Sequence, residues 1–260
     1  MIANYHTHTV RCHHASGSER EYIEQAIARG LRILGFSDHA PMPFPNGYRS
    51  SFRMATSELP DYVETLLSLR EEYRGSIDIR IGFEAGYYPA VFPDFLALLR
   101  PYPIDYLILG QHFLGNEEGE MHYGDPASMT DPARLHRYVD QVTAGMNTGA
   151  FTYVAHPDVF VFHGDAAFYQ GEAERLCRAA KERGIPLEVN MLGLSNHRFY
   201  PCPLFWEVAA DVGNDVVLGC DAHDPARVAA PAELEQADAF LDRYGLRPHL
   251  LQTLPLRGIE

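Results

Sequence analysis

The sequence predicts an α/β fold in which a parallel sheet closes into a barrel of seven strands. Short apolar, β-rich runs alternate with segments of helical periodicity, giving seven β/α units along 260 residues. Buried parallel strands are continuous apolar runs that need crossover helices, and the near-regular spacing favours a closed barrel. A doubly wound open sheet is the alternative. Neither a linker nor a repeat divides the chain, so residues 1–260 are predicted to form one domain.

The first four units show clear start and stop signals. IANYH is the first strand, and the helix after it begins with Ser18 and Glu21 at capping-box spacing and ends at Gly30. A long Pro-rich loop follows the second strand, and the fourth helix begins with Asp131 as its cap and Pro132 at its first position. The predicted strands are 2–6, 31–39, 77–84 and 104–113, and the predicted helices are 18–30, 58–74, 91–100 and 131–146.

The last three units follow the same order. Gly184 ends the fifth helix and Gly213 ends the sixth, as glycine commonly does after a last helical turn. The predicted strands are 151–156, 185–190 and 215–223, and the predicted helices are 168–183, 203–212 and 231–245.

Composition narrows the class of protein. The net charge of −14 comes from 35 acidic and 21 basic residues, which argues against nucleic acid or an anionic membrane as a partner. Four scattered cysteines do not suggest a disulfide framework. Polar residues interrupt the N-terminus before a signal peptide could form, and an apolar run of membrane-spanning length is lacking. We therefore expect a soluble cytoplasmic protein.

Histidine and carboxylate side chains stand at the C-terminal ends of six predicted strands. They are His6 and His8, His39, Glu84, His112, His156, and Asp221 with His223. In β/α barrels these ends converge on one mouth, where the active site is assembled. Imidazole and carboxylate are ligands of zinc, manganese and iron. The set therefore predicts two or three divalent ions, with Glu84 on a middle strand as the bridging ligand.

The motifs YHTHT, CHHA, SDH, a lone Glu after the third strand, GQH, AHP and CDAH occur in this order. Together they resemble the PHP superfamily, named for polymerase and histidinol phosphatase, and within it the monofunctional histidinol-phosphate phosphatases. The resemblance covers residues 2–225 and implies a distorted, TIM-like (β/α)7 barrel. It implies a first metal at His6, His8, Glu84 and Asp221, a second at Glu84, His112 and His156, and a third at His14, His39 and His223.

Two details of the resemblance concern the N-terminal segment. His14, rather than His13, aligns with the ligand of the family that precedes a small residue, and a slip of one residue would reverse that choice. Asn4 stands where relatives often carry an aspartate that orients a ligand, so metal affinity or metal choice is expected to differ. CHHA also differs from the Ser-Asp-Gly segment of nucleotide-cleaving members.

The resemblance implies a metal-dependent phosphomonoester hydrolase that acts on L-histidinol phosphate in histidine biosynthesis. A metal-bridging hydroxide would attack phosphorus in line. The leaving alkoxide needs a proton, which either Asp221 or His197 could supply. Zinc, manganese and iron all suit the donor set.

Residues that contact the substrate are predicted from charge and position. Lys181 is the only lysine among 21 basic residues, so a phosphate contact falls to arginine. Arg198, after the sixth strand, is expected at the correct rim and resembles the phosphate-contacting arginine of the family; a solvated surface charge is the alternative. Arg49 and Arg53 are further candidates, and a salt bridge at a helix entry or within the loop is the alternative for them. Glu117 begins an acidic loop, with Glu118, Glu120 and Tyr123, that would suit a cationic imidazole or be merely solvated.

Three other functions fit parts of this pattern. A PHP phosphoesterase could act on nucleotides or phosphotyrosine. An amidohydrolase shares the His-x-His start but commonly bridges its metals through a carboxylated lysine, whereas Lys181 lies inside a predicted helix. A non-catalytic PHP module would be expected to lack ligands, while all nine candidate ligands are present here.

Overall fold

The computed structural model describes residues 1–117 and 129–248. Seven parallel strands form one sheet in chain order, from β1 to β7. Beyond the ends of β1 and β7, Thr7 forms a parallel bridge with Ala222. This bridge brings the first and last strands together, so the sheet is a nearly closed barrel. The predicted barrel is confirmed, and the doubly wound alternative is wrong because a doubly wound sheet reverses its strand order.

The predicted units appear in the structure in the predicted order, with one additional short helix. The strands are β1 (Ala3–Asn4), β2 (Ile33–His39), β3 (Asp78–Ala85), β4 (Tyr106–Leu109), β5 (Tyr153–Val154), β6 (Leu187–Asn190) and β7 (Val216–Gly219). The helices are α1 (Glu19–Ala28), α2 (Leu59–Glu72), α3 (Phe92–Leu99), α4 (Pro132–Asn147), α5 (Ala166–Glu182), α6 (Met191–Ser195), α7 (Pro203–Val212) and α8 (Pro231–Tyr244). Among the described residues, no helix combines the length and apolar character needed to cross a bilayer.

Local chemistry explains where several elements begin and end. Ser18 and Glu21 form the predicted capping box of α1, and the Asp131 side chain accepts a hydrogen bond from Ala133 N at the start of α4. The predicted strand 104–113 ends at Leu109, because the Gln111 side chain accepts from Tyr87 N and donates to Phe113 O. These contacts take the backbone after β4 out of the sheet.

The α6 helix was not predicted because its five residues are too few to show a helical period. The Asn190 side chain caps it by accepting a hydrogen bond from Gly193 N at 2.9 Å. This short helix places the segment that carries Arg198 at the barrel mouth.

Apolar residues fill the inside of the barrel below the mouth. Three tyrosines dominate this inner cluster, which also contains alanine, isoleucine and valine from alternate strand positions. The Tyr106 hydroxyl donates to Tyr5 O at 2.7 Å. A Cβ at Gly35 or Gly82 would lie within 2.5 Å of the Tyr106 side chain, so both positions need glycine. Helices cover the outer face of the sheet. The polar candidate ligands lie at the C-terminal ends of the strands.

Candidate metal centre

The parallel register brings the predicted donors to one end of the barrel. His39 is the last residue of β2 and pairs in register with Glu84 on β3. The remaining donors lie in the segments that leave β1, β4, β5 and β7. Because these strand ends converge, residues far apart in the chain are in contact.

The Glu84 carboxylate lies at the centre of the cluster and is 1% exposed. Five imidazoles surround it. Its Oε1 atom is 2.8 Å from His156 Nε2 and 3.5 Å from His112 Nε2, and its Oε2 atom is 2.9 Å from His39 Nδ1, 3.5 Å from His6 Nε2 and 3.6 Å from His8 Nε2. A Cβ at Gly110 would lie 1.9 Å from Glu84 Oε1, so glycine at 110 provides the space for this carboxylate.

Asp221 is the second carboxylate of the cluster. Its Oδ1 atom is 3.1 Å from His8 Nε2, 3.5 Å from His6 Nε2 and 3.4 Å from His223 Nδ1. Asp221 has a φ of 49°, in the left-handed region that non-glycine residues seldom occupy. This backbone turn directs the end of β7 toward the histidines from β1.

The structure brings His14, and not His13, to the cluster. The ring centroid of His14 is 4.7 Å from that of His223 and 5.3 Å from that of His39, and both pairs are stacked. His13 has a φ of 67° and lines a different cavity. The left-handed turn at His13 therefore separates the two neighbouring side chains.

The donor atoms fit divalent ions. Several of them are buried without a well-formed hydrogen bond, which is costly for polar groups. These atoms are His6 Nε2, His8 Nε2, His39 Nδ1, His223 Nε2 and Glu84 Oε2. The sets of described residues whose ligand atoms lie within 4.8 Å of one another include three drawn from the predicted ligands: His6, His8 and Asp221; His6, Glu84 and His156; and His8, His39 and His223.

These sets overlap with the ligand groups implied by the family resemblance, but they are not identical to them. His6 joins Glu84 and His156 in the second set, and His8 joins His39 and His223 in the third. The division of the donors among individual ions therefore stays a prediction.

The protonation states of the two carboxylates and of two of the histidines also favour cation binding. Burial acts to raise the pKa of Glu84, yet the imidazoles of His112 and His39 outweigh it and hold the pKa well below its usual range. Burial acts likewise on Asp221, whose pKa is held well below its usual range chiefly by His6. Burial lowers the pKa of His39 and His112 well below normal. Burial acts to lower the pKa of His6, His8 and His156 as well, but the neighbouring carboxylates outweigh it and raise these pKa values above normal. Because a metal binds ionised carboxylates and neutral imidazoles, binding at these three rings would release protons.

Two buried carboxylates behind the cluster were missed from the sequence. Glu188 on β6 accepts a hydrogen bond from His6 Nδ1 at 2.8 Å. Asp38 on β2 accepts from His39 N at 2.7 Å, and its Oδ1 atom is 3.6 Å from His8 Nδ1. Both side chains are 0% exposed, and a charge buried within a strand is costly unless it is paired. That cost is the sequence signal that could have identified them.

Asn4 contacts the backbone and the side chain of a threonine. Its Oδ1 atom accepts from His6 N at 3.2 Å and from Cys220 N at 2.9 Å, and its Nδ2 atom donates to Thr7 Oγ1 at 2.7 Å. Asn4 therefore holds the segments after β1 and β7 together, while Glu188 contacts the His6 ring.

The cluster opens into a cavity of about 600 Å³. Arg198 and Tyr200 line it together with the aromatic residues Phe52 and Phe113. Arg198 Nη1 donates to the Tyr200 hydroxyl at 2.9 Å, which places the guanidinium at the cavity wall. The predicted position of Arg198 at the mouth agrees with the structure.

Four other predicted residues do not line this cavity. Arg53 Nε donates to Glu117 Oε1, and the two side chains are 2% and 0% exposed. Their charges compensate each other, so the geometry does not support substrate contacts by either residue. Arg49 lines the separate cavity beside His13, and His197 is exposed in the turn after α6. Glu118, Glu120 and Tyr123 lie outside the described residues.

Two curated proteins are similar to this chain in sequence. The chain is 31% identical over 235 residues to the "Probable histidinol-phosphatase" of Deinococcus radiodurans, covering 87% of this chain and 88% of that protein. It is 38% identical over 118 residues to the histidinol-phosphatase of Bacillus subtilis, covering 42% of this chain and 43% of that protein.

A solved structure shares the fold, and a family model matches most of the chain. The crystal structure of histidinol phosphate phosphatase from Lactococcus lactis, complexed with zinc, L-histidinol and phosphate, aligns over 95% of both chains with a TM-score of 0.71 and 20% identity. Residues 4–192 match the PHP domain. The chain therefore belongs to the PHP domain family.

Proposed function

We propose that this chain is a metal-dependent phosphatase that hydrolyses L-histidinol phosphate to L-histidinol and inorganic phosphate. The observation that carries the proposal is the Glu84-centred cluster, which gathers donors from six of the seven strands at the floor of a cavity walled by Arg198. The names of the D. radiodurans and B. subtilis relatives support the same activity, as do the ligands of the L. lactis structure.

The nine donors would hold two or three divalent ions of zinc, manganese or iron. They are His6, His8, His14, His39, Glu84, His112, His156, Asp221 and His223. When bound, such ions supply an activated water and neutralise charge on the phosphoryl oxygens. Glu84, which lies between the imidazoles of both sides of the cluster, is the bridging ligand in this proposal.

Arg198 and Asp221 would act directly on the substrate. The planar guanidinium of Arg198 can donate two parallel hydrogen bonds to phosphoryl oxygens. Of the two predicted proton donors, Asp221 lines the cavity and His197 does not. Asp221 would accept a proton from the attacking water and deliver it to the leaving alkoxide, so the proton count balances.

The size and lining of the cavity suit the organic part of this substrate. Small-molecule sites commonly measure about 300 to 1,000 Å³, and this cavity falls within that range at about 600 Å³. The ring centroids of Phe52 and Phe113 are 5.5 Å apart in a stacked pair that forms one apolar wall. A flat imidazole can pack on such a wall while the phosphate lies against the cluster.

Substrate choice can be tested directly with a panel of phosphomonoesters. The metal-free protein is reloaded separately with zinc, manganese and iron, and kcat/KM is measured for L-histidinol phosphate, nucleoside monophosphates and phosphotyrosine. We expect L-histidinol phosphate to exceed each competitor by at least about tenfold, which corresponds to about 1.4 kcal/mol. Equal or faster turnover of a nucleotide or of phosphotyrosine would contradict the proposed substrate.

Replacing Arg198 with methionine tests the phosphate contact. We expect kcat/KM for L-histidinol phosphate to fall about 10- to 100-fold, because a hydrogen bond to a charged group contributes about 1.5 to 3 kcal/mol. Metal content should not change. Arg74→Met is the matched control, since the Arg74 side chain lies in the turn after α2, is 76% exposed and pairs with Glu71. Equal activity of both variants would exclude Arg198 from phosphate binding.

A further inference from the structure

Glu188 is a fully buried carboxylate on β6, the strand that provides none of the nine candidate ligands. Its Oε1 atom lies 2.8 Å from His6 Nδ1. An ionised carboxylate can only accept a hydrogen bond, so Nδ1 of His6 carries the proton in this contact. When the ring is neutral, the other ring nitrogen, Nε2, presents its lone pair, and it lies 3.5 Å from both Glu84 Oε2 and Asp221 Oδ1.

The second oxygen of Glu188 contacts two further elements of the cluster. Oε2 accepts from His156 N at 3.0 Å, where the His156 backbone has a φ of 30°. Oε2 also accepts from Asn190 Nδ2 at 3.0 Å, and the same Nδ2 atom donates to Asp221 Oδ2 at 3.1 Å. One carboxylate therefore connects candidate ligands that follow β1, β5 and β7.

The neighbouring strand provides the space for this carboxylate. Gly219 is the last residue of β7 and pairs in register with Asn190. A Cβ at Gly219 would lie 1.7 Å from Glu188 Oε1, far inside van der Waals contact. The Gly219 backbone has no positive φ, so what the position requires is room beside Glu188.

We propose that Glu188 is a positioning residue of the metal centre, which fixes the tautomer and orientation of His6 and the backbone of His156. This inference rests on the proposed metal centre, but it does not depend on which phosphomonoester is the substrate. A carboxylate behind a ligating histidine makes its imidazole a stronger donor, and loss of such a partner typically reduces metal affinity or activity about 10- to 100-fold.

Metal affinity of the Glu188→Gln variant tests the inference. Glutamine keeps the size of the side chain and removes its charge. We expect the highest-affinity metal site of Glu188→Gln to be filled only at about 10- to 100-fold higher free metal concentration than that of the wild type. The measurement is titration of the metal-free protein in chelator-buffered zinc or manganese, with thermal unfolding of the metal-free protein recorded in parallel.

Glu172→Gln is the matched control. Glu172 on α5 is also buried, and it also bonds an imidazole, with Oε1 2.7 Å from His136 Nδ1. Unlike Glu188, it belongs to none of the contacts of the metal centre described above. We expect Glu172→Gln to bind metal as the wild type does, because the contacts that it weakens, with His136 and Arg175, lie away from the metal centre.

Gly219→Ala is a second variant that leaves Glu188 in the chain. The added methyl group displaces the flexible carboxylate from His6, so we expect the same loss of metal affinity. Wild-type affinity in both Glu188→Gln and Gly219→Ala would overturn the inference. Failure of both metal-free variants to fold would also overturn it, because Glu188 would then serve the barrel rather than the ions. A lack of activity on L-histidinol phosphate, with affinities as expected, would refute only the proposed substrate.

Discussion

Replacing Glu84 with glutamine is expected to reduce hydrolysis of L-histidinol phosphate by about 1,000-fold or more. The Glu84 carboxylate lies within 3.6 Å of five imidazoles, and both of its oxygens make these contacts. A neutral amide cannot bridge two cations, and loss of about 4 kcal/mol of transition-state stabilisation corresponds to a factor of about 1,000. The measurement combines kcat with metal content determined by elemental analysis.

The control for this prediction is again Glu172→Gln, which removes a buried carboxylate from α5. It should keep wild-type turnover and metal content. Thermal unfolding shows whether Glu84→Gln still folds, since the apolar cluster below the mouth does not include Glu84. A folded Glu84→Gln protein with wild-type turnover would remove the cluster from the reaction.

Removing the metals is expected to abolish activity and to lower the stability of the fold. Without ions, the carboxylates of Glu84 and Asp221 remain buried beside imidazole nitrogens that lack well-formed hydrogen bonds. A ligand present at 1,000 times its Kd stabilises the folded state by about 4 kcal/mol. For a chain of this size, that corresponds to a shift in Tm of about 10 °C.

Chelation followed by reloading measures this effect. Tm and turnover are recorded for the purified protein, after dialysis against a chelator, and after addition of zinc, manganese or iron. Both quantities should fall on dialysis and recover with at least one of the metals. An unchanged Tm together with full activity in the metal-free protein would contradict the proposed centre.

The order of the elements followed from the sequence because it depends on local patterns. The capping box at Ser18 and the apolar run before His39 are visible within a few residues. Strand ends were less predictable: Tyr153–Val154 is much shorter than the predicted 151–156. Where a parallel strand leaves the ladder is decided by side-chain contacts such as those of Gln111, which are not local in sequence.

The part of the candidate site that lies at the strand ends could be predicted from the sequence. The donors from His6 to His223 could be placed together because barrel topology brings these ends to one mouth. The pairing of Arg53 with Glu117 was not visible, since the two residues are separated by 64 positions. Glu188 was overlooked because the alternation of LEVN also fits a strand with one solvent-exposed face, and its partner His6 is 182 positions away.

The join between the first and last strands gives the metals a second role. Thr7 and Ala222 form a bridge there, with His8 directly after one and Asp221 directly before the other. An ion held by His8 and Asp221 would cross-link the two ends of the sheet. Like a covalent cross-link across a long loop, it would oppose the entropy gained when the ends separate. The ions that take part in catalysis would thus also stabilise the closed barrel.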